Sequence, residues 1–272
     1  MSAVLFGSAR ELEGRVCIVT GAGSGIGRGV ALNLAASGGC VAVLDRDVAG
    51  AEATAAAIKA AGGQGLAVAC DVADEAAVAA AAEQTLAALG PCDVLVNNAG
   101  VLRPGPLETL TLAEWNLVLG VNLSGYFICS QAWGRQMLAR EQGAIVHIAS
   151  IAAVQPTPYA GAYSVAKAGV TLLSRQLAIE WGGRGIRSNC VNPGLIHTGM
   201  TQTIYEQPEL AARRAQTVPT GRIGQPDDIA EAVRFLASDR ASYVNGEELT
   251  VDGGFSRMLL GLIPRTFQPP AR

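Results

Sequence analysis

A chain of 272 residues, half of them apolar, fits one large α/β domain or two small ones; with no Pro/Ser-rich linker and no shift of composition it reads as one domain, residues 1–272. A net charge of −3 without any run of Lys or Arg excludes the electrostatic footprint of a nucleic-acid or membrane-surface protein and leaves small-molecule chemistry. Met1 to Arg10 has neither the basic start nor the long apolar core of a signal peptide, and no charge-free apolar run approaches ~18 residues, so a soluble, cytoplasmic protein is expected.

The six cysteines do not read as a disulfide framework. Cys17, Cys40, Cys70 and Cys190 lie inside or at the ends of apolar strand-like runs, there is no C-x-x-C pair, and buried free thiols are expected. The two histidines, His147 and His197, are not at ligand spacing from a cysteine or from each other, so no metal site is expected.

In chain order, the apolar run Arg15 to Val19 ends in Thr20-Gly-Ala-Gly-Ser-Gly-Ile-Gly27 and passes into the apolar-periodic stretch Val30 to Ala36. Strand, glycine turn and helix start arrive in the order a phosphate site needs: helix N-terminal amides attract the anion and glycines let the backbone approach it. A dinucleotide pyrophosphate fits there. The next run, Cys40 to Leu44, ends in Asp45, eighteen residues beyond Gly27. A carboxylate at that point accepts hydrogen bonds from an adenosine ribose 2′-hydroxyl and repels a 2′-phosphate, which favours NAD over NADP, although the adjacent Arg46 pulls the other way. An alanine-rich helix, Val48 to Ala61, leads to a third strand, Gly65 to Cys70, closed by Asp71-Val72. A helix beginning near Asp74 follows, then a fourth strand from Asp93 to Val96 that ends in Asn97-Asn98-Ala99-Gly100. From Thr111 to Arg140 one helical stripe carries Trp115, Leu119, Tyr126, Cys129, Trp133 and Met137, with Asn122, a poor helix former, inside it.

A fifth strand, Ala144 to Ile148, is closed by Ser150. Val170, Leu173, Leu177 and Trp181 then repeat at helical spacing, which puts Tyr163 and Lys167, four residues apart, on one helix face. A free tyrosine titrates near ~10, and a positive neighbour favours its phenolate. A sixth strand, Ile186 to Val191, and a seventh, Glu248 to Val251, flank the polar, helix-capable insertion Gly199 to Pro219, read as a substrate lid. A helix from Gly224 to Leu236 has Pro226 at its start and two aspartates in its first turn. The alternation of strands and helices predicts a doubly wound, Rossmann-like α/β fold, a mostly parallel sheet of about seven strands with helices on both faces.

Tyr-x-x-x-Lys with a serine thirteen residues earlier, behind a T-G-x-x-x-G-x-G turn, resembles the short-chain dehydrogenase/reductase family over roughly Leu12 to Phe255. The resemblance implies an NAD(P)-dependent hydride transfer between a secondary alcohol and a ketone. Tyr163 would exchange the proton, Ser150 would bind the substrate oxygen, Lys167 would lower the phenol pKa and hold the nicotinamide ribose, and Asn122 would anchor a water. It further implies that Gly21, Ser24, Gly25, Ile26 and Gly27 cradle the cofactor. Asp71 and Val72 would lie beside the adenine, with capping of the following helix as the other reading of Asp71. Asn98 would reach a ribose, with Ala99 and Gly100 letting the cofactor pass. Pro193, Gly194, Ile196 and Thr198, within a P-G-x-x-x-T run, would hold the nicotinamide carboxamide.

His197, Met200, Ile204 and Tyr205 suggest a largely apolar substrate pocket, with Tyr159 as a wall; Arg213 and Arg214 read as a solvated helix face in preference to an anion site. A 3-oxoacyl-(acyl-carrier-protein) reductase is the rival enzyme, opposed by Asp45 and by Ala144, where such reductases often offer the carrier a basic residue. A non-catalytic binding module is the rival from another class, opposed by the four filled catalytic positions. The stripes at Leu112–Arg140 and Ala160–Gly182 carry more apolar surface than one sheet face demands, so a homotetramer is expected. The apolar Met258 to Ile263 in the tail is read as docking on a neighbour or closing a pocket.

Overall fold

The computed structural model describes residues 10–199 and 205–263. Seven strands, β1 (Val16–Thr20), β2 (Cys40–Asp45), β3 (Gln64–Ala69), β4 (Val94–Asn97), β5 (Gly143–Ile148), β6 (Ile186–Pro193) and β7 (Glu248–Val251), form a sheet in the order β3-β2-β1-β4-β5-β6-β7. Every pairing is parallel. Helices cover both faces of a sheet built this way, so its central strands are mainly apolar and β1, β4 and β5 are buried at every position, including the polar Thr20, Asn97 and His147.

One face is packed by α1 (Gly25–Ala36), α2 (Val48–Ala60) and α8 (Pro226–Ala237), whose Leu34, Ile58 and Ile229 share a core with Cys17, Val19 and Val41. The other is packed by α3 (Glu75–Leu89), α5 (Gly125–Arg140) and α6 (Tyr163–Gly182), whose Val78, Trp133 and Leu177 meet Val16, Ile18 and Leu44. Two short helices are also described, α4 (Leu112–Leu119) and, in the lid, α7 (Pro208–Thr217). All six cysteines are free; five are buried and Cys40 is half-buried. Burial pushes the Cys190 thiol up to about 12.

The stretch from Thr111 to Arg140 is not one helix. A capping box between Thr111 and Glu114 starts α4, and a π turn at Gly120–Ser124 separates it from α5. The cause lies in Asn122. Its side-chain amide donates to the Val118 carbonyl at 3.0 Å, the acceptor that a regular α ladder reserves for the backbone amide of residue 122.

The apolar stripe also has a different destination from the one expected. Tyr126, Cys129, Trp133 and Met137 are fully buried against the chain's own sheet; the Trp133 indole donates to the Thr85 hydroxyl at 3.0 Å. The apolar side chains left outside are others, Phe127, Leu172 and Ile179 among them. Ala144 is likewise buried within β5 and presents nothing to a carrier protein, so its place in the argument against a carrier-dependent reductase falls away. In the tail, Leu259 and Ile263 are exposed and close no pocket; residues 264–272 lie outside the described part.

Candidate active site

The sheet order reverses between β1 and β4, and a cleft of about 370 Å³ opens beyond the C-terminal ends of these strands. Its floor is locked by side chains. The Thr20 hydroxyl accepts from the backbone amides of Asn98 and Ala99 at 3.0 and 3.1 Å, while Asn98 Nδ2 donates to the carbonyls of Thr20 and Gly21 at 2.9 and 3.0 Å. Asn98 lines the cleft, but its amide nitrogen is engaged in pinning the glycine turn. At Gly21 φ is +62° and an added Cβ would stand 2.7 Å from the Ala99 Cα, so only glycine fits. Gly27 does not line the cleft: a side chain there would overlap the Gly21 carbonyl and the Asn98 amide, and its absence lets α1 sit down on the turn.

The head of α1 suits an anion. Ser24 occupies the N-cap without accepting a first-turn amide, and the first turn holds no acidic residue. Ser24, Gly25 and Ile26 all face the cleft. From β6, Pro193, Gly194, Ile196 and Thr198 line the opposite wall, and the Thr198 Cβ lies 3.4 Å from the Cβ position of Gly25, so this segment crosses over the glycine turn. The donor set and the side-chain-free cradle fit a dinucleotide phosphate.

At the outer end, Asp45 Oδ2 accepts from the Gly23 amide at 2.8 Å and Oδ1 from the Asp47 amide at 2.9 Å, so this carboxylate braces the glycine turn while lining the cleft. Arg46 beside it is exposed. Asp71 and Val72 also line this end. Asp71 does not cap α3: the cap is Asp74, which accepts from Ala76 and Ala77, and Asp71 instead folds back on the Ala73 amide at 3.0 Å. Gly100 lies against the Asn122 side-chain oxygen, and Ala99 lines the cleft beside it.

The four expected catalytic residues come together in the same cleft from three different elements. Asn122, fully buried, exchanges hydrogen bonds with Val101, donating at 2.8 Å and accepting at 3.3 Å, which ties the π turn to the loop after β4. Ser150 heads a short 3₁₀ turn beyond β5 and accepts from the Ala152 amide at 3.0 Å. Tyr163 opens α6. Burial raises its phenol pKa and a hydrogen bond with Ser150 pulls it back down. Lys167, one turn on, is 3% exposed, and desolvation lowers its ammonium to about 7. Its Nζ stands 5.7 Å from the centre of the Tyr163 ring and donates to the Ile148 carbonyl at 2.8 Å and the Tyr126 hydroxyl at 3.0 Å.

Two participants escaped the sequence reading. Tyr126 counted as one more apolar stripe residue, yet its hydroxyl, donating to the Ile148 carbonyl at 3.0 Å, shares the ammonium of Lys167; a phenol at an otherwise apolar position was the available signal. Arg214 was assigned to a solvated face. It is half-buried and lines the cleft with Tyr205, its guanidinium 5.7 Å from that ring, whereas Arg213 is exposed. The Tyr205 ring in turn lies 5.3 Å from His197. Tyr159 is not a pocket wall: it is 73% exposed, in a loop at φ +61°. Met200 and Ile204 lie outside the described residues.

Comparison with known proteins places the cleft in context. A family model described as enoyl-(acyl carrier protein) reductase matches residues 21–256. D-threitol dehydrogenase from Mycolicibacterium smegmatis is 44% identical over 90% of this chain and 94% of its own. An L-tagatose-forming galactitol 2-dehydrogenase from Cereibacter sphaeroides is 42% identical over 90% and 96%. Among solved structures, an NAD(P)-dependent gluconate 5-dehydrogenase from Beutenbergia cavernae with bound NADP superposes at a TM-score of 0.86, with 42% identity, over 92% of this chain and 100% of the other. With likeness of this extent spanning the glycine turn, the Ser-Tyr-Lys cleft and the whole sheet, the chain belongs to the short-chain dehydrogenase/reductase family of NAD(P)-dependent oxidoreductases.

Proposed function

We propose that this enzyme interconverts a secondary alcohol and its ketone on a small polyol-like substrate, with Tyr163 as the general acid/base. The observation that carries the reading is the convergence of Asn122, Ser150, Tyr163 and Lys167 on one cleft whose far wall is a helix N-terminus suited to a dinucleotide phosphate. When bound, the nicotinamide supplies the hydride acceptor or donor. For oxidation, Ser150 gives a hydrogen bond to the substrate oxygen and keeps its proton, while Tyr163, as phenolate, takes the alcohol proton. The Lys167 ammonium stabilises that phenolate from below, and its remaining N–H is the donor that would hold the nicotinamide ribose. Asn122 keeps the π turn in place, and the backbone there anchors the water by which the proton leaves. Reduction runs the same transfers backwards.

NAD is the proposed cofactor. Asp45 keeps both carboxylate oxygens at the cleft's outer end, where they suit ribose hydroxyls and oppose a 2′-phosphate; the NADP in the gluconate 5-dehydrogenase structure makes this a point to measure. A carrier-dependent reductase stays as the second reading because the matched family model bears that description. We also place the enzyme in the cytoplasm as a homotetramer. Among the described residues no helix is long and apolar enough to cross a membrane.

The test is absorbance at 340 nm with a panel of polyols, cyclic alcohols, hydroxysteroids and hydroxyacyl thioesters, with NAD and with NADP. Turnover of a polyol is expected, with higher kcat/KM for NAD. Tyr163→Phe should abolish turnover and leave cofactor affinity nearly intact, because only the proton-transfer atom is lost. A variant that keeps a tenth of wild-type turnover would sink the assignment.

A further inference from the structure

We propose that Arg214 and Tyr205 form a subsite on the lid side of the cleft for a carboxylate carried by the alcohol substrate, which makes the preferred substrate a hydroxy acid rather than a neutral polyol. The inference rests on the alcohol/ketone reading above and narrows it.

Charge distribution in the cleft comes first. Of the charged residues lining it, Asp45, Arg46 and Asp71 stand at the outer end by β2 and β3, and Lys167 on the floor already donates to two oxygens. Among the described residues, Arg214 is the charged one that lines the lid side. Four arginines among the described residues are half-buried. Arg15 holds Asp239, Arg187 holds the carbonyls of Leu236 and Ser238, and Arg234 holds Glu231. Among the described residues the guanidinium of Arg214 meets no such oxygen and lies over the face of the Tyr205 ring at 5.7 Å. A half-buried planar fork of donors without an acceptor is costly to hold, and a carboxylate is the ligand whose geometry and charge match it.

Tyr205 is the second, independent observation. Its hydroxyl is sealed from solvent and has no hydrogen-bond partner, while its ring is packed between Arg214 and His197. A buried phenol without a partner forfeits a hydrogen bond that an anionic oxygen would restore. Arg214 and Tyr205 line the same cleft as Ser150 and Tyr163, so one small molecule can present its alcohol to the catalytic pair and its carboxylate to Arg214, with the sealed Tyr205 hydroxyl reached once its side chain turns towards the ligand. The cofactor's diphosphate is the other source of an anion, since Thr198 brings this wall across the glycine turn.

The deciding experiment is calorimetric titration of the NAD-loaded protein with tartrate and with the uncharged erythritol, for wild type, Arg214→Gln and Tyr205→Phe, alongside titration of NAD itself. Wild type is expected to bind tartrate more tightly than erythritol. Arg214→Gln should weaken tartrate about tenfold or more, as loss of a charge-assisted bond implies, with Tyr205→Phe moving the same way by less. NAD affinity should stay within about twofold. In turnover, the preference for an aldonate over the matching alditol should fall by the same factor in Arg214→Gln. Equal binding of tartrate and erythritol by wild type overturns the subsite, and so does a loss confined to NAD, which would assign Arg214 to the cofactor. Tartrate binding that depends on Arg214, with no alcohol oxidised, would instead sink the proposed reaction and leave the subsite standing.

Discussion

Lys167 lives in two environments at once. Burial drives its ammonium down to about 7, while the Ile148 carbonyl and the Tyr126 hydroxyl accept two of its protons and favour the charged form. Because Tyr126 also gives its own proton to Ile148, its oxygen is held with lone pairs towards the lysine. Removing that hydroxyl lowers the Lys167 pKa further and so weakens support for the Tyr163 phenolate. Tyr126→Phe, which keeps the ring, is therefore expected to lower kcat for alcohol oxidation about tenfold, on the scale of one hydrogen bond to a charge, and to move the rising limb of the pH profile upwards. A pH profile superimposable on that of wild type would show that the hydroxyl is a bystander. KM for the alcohol should change little.

Strand β5 shows what an element contributes beyond carrying a site at its end. His147 is fully buried, with Nδ1 3.2 Å from Asn97 Nδ2 and Nε2 3.2 Å from the Ser188 hydroxyl, which meets Ser174 at 3.0 Å. This polar thread crosses from β4 through β5 and β6 to α6, behind the catalytic pair. Desolvation, then the Lys167 charge, depress the His147 pKa to about 3. Between about 6.5 and about 3 the unfolded chain binds the proton and the folded one does not, so stability is complete above the unfolded pKa and is lost as pH falls. The expected slope from this residue is about 1.4 kcal/mol per pH unit below 6.5. Chemical denaturation between pH 7 and 4 should show wild type losing stability more steeply than His147→Gln. Parallel curves would mean that the histidine titrates normally when folded.

At the scale of the whole molecule, the proposed tetramer rests on a different set of side chains from the stripe that prompted it. Trp133 and Met137 are spent on the chain's own core, and Trp181 packs where a Cβ on Gly134 would meet it at 2.6 Å. Outside remain Phe127 at 45%, Leu172 at 63% and Ile179 at 83% exposure; Phe127 and Leu172 border a groove of about 530 Å³ between α5 and α6. An apolar patch of this kind on two neighbouring helices is the surface that a two-fold copy would bury. Light scattering at micromolar concentration is expected to give four times the chain mass, and Leu172→Glu with Ile179→Glu should reduce it. A wild-type monomer would refute the interface. Since α6 also carries Tyr163 and Lys167, loss of assembly should lower activity as well.

The fold class and the succession of strands and helices were legible in the sequence because each depends on local pattern, an apolar run flanked by turns and glycines at a strand-to-helix junction; a four-residue spacing likewise marks a phenol and an ammonium on one helix face as candidates, whereas the order of the strands came only from the sheet itself. Even Asn122 could be singled out, as a poor helix former inside a helical stretch. Other features were decided only by tertiary structure. Periodicity shows that a helix has an apolar face but not which neighbour covers it, so Tyr126 and Trp133 read as surplus surface until the sheet was in place. An aspartate before a helix can cap it or fold back on its own turn; Asp71 and Asp74 compete for that role, and the geometry gives it to Asp74. Arg214 carries the same lesson. A charged residue on a polar helix is solvated by default, and only the position of α7 over the cleft brings its guanidinium inward, because burial is a relation between distant segments that no local spacing records.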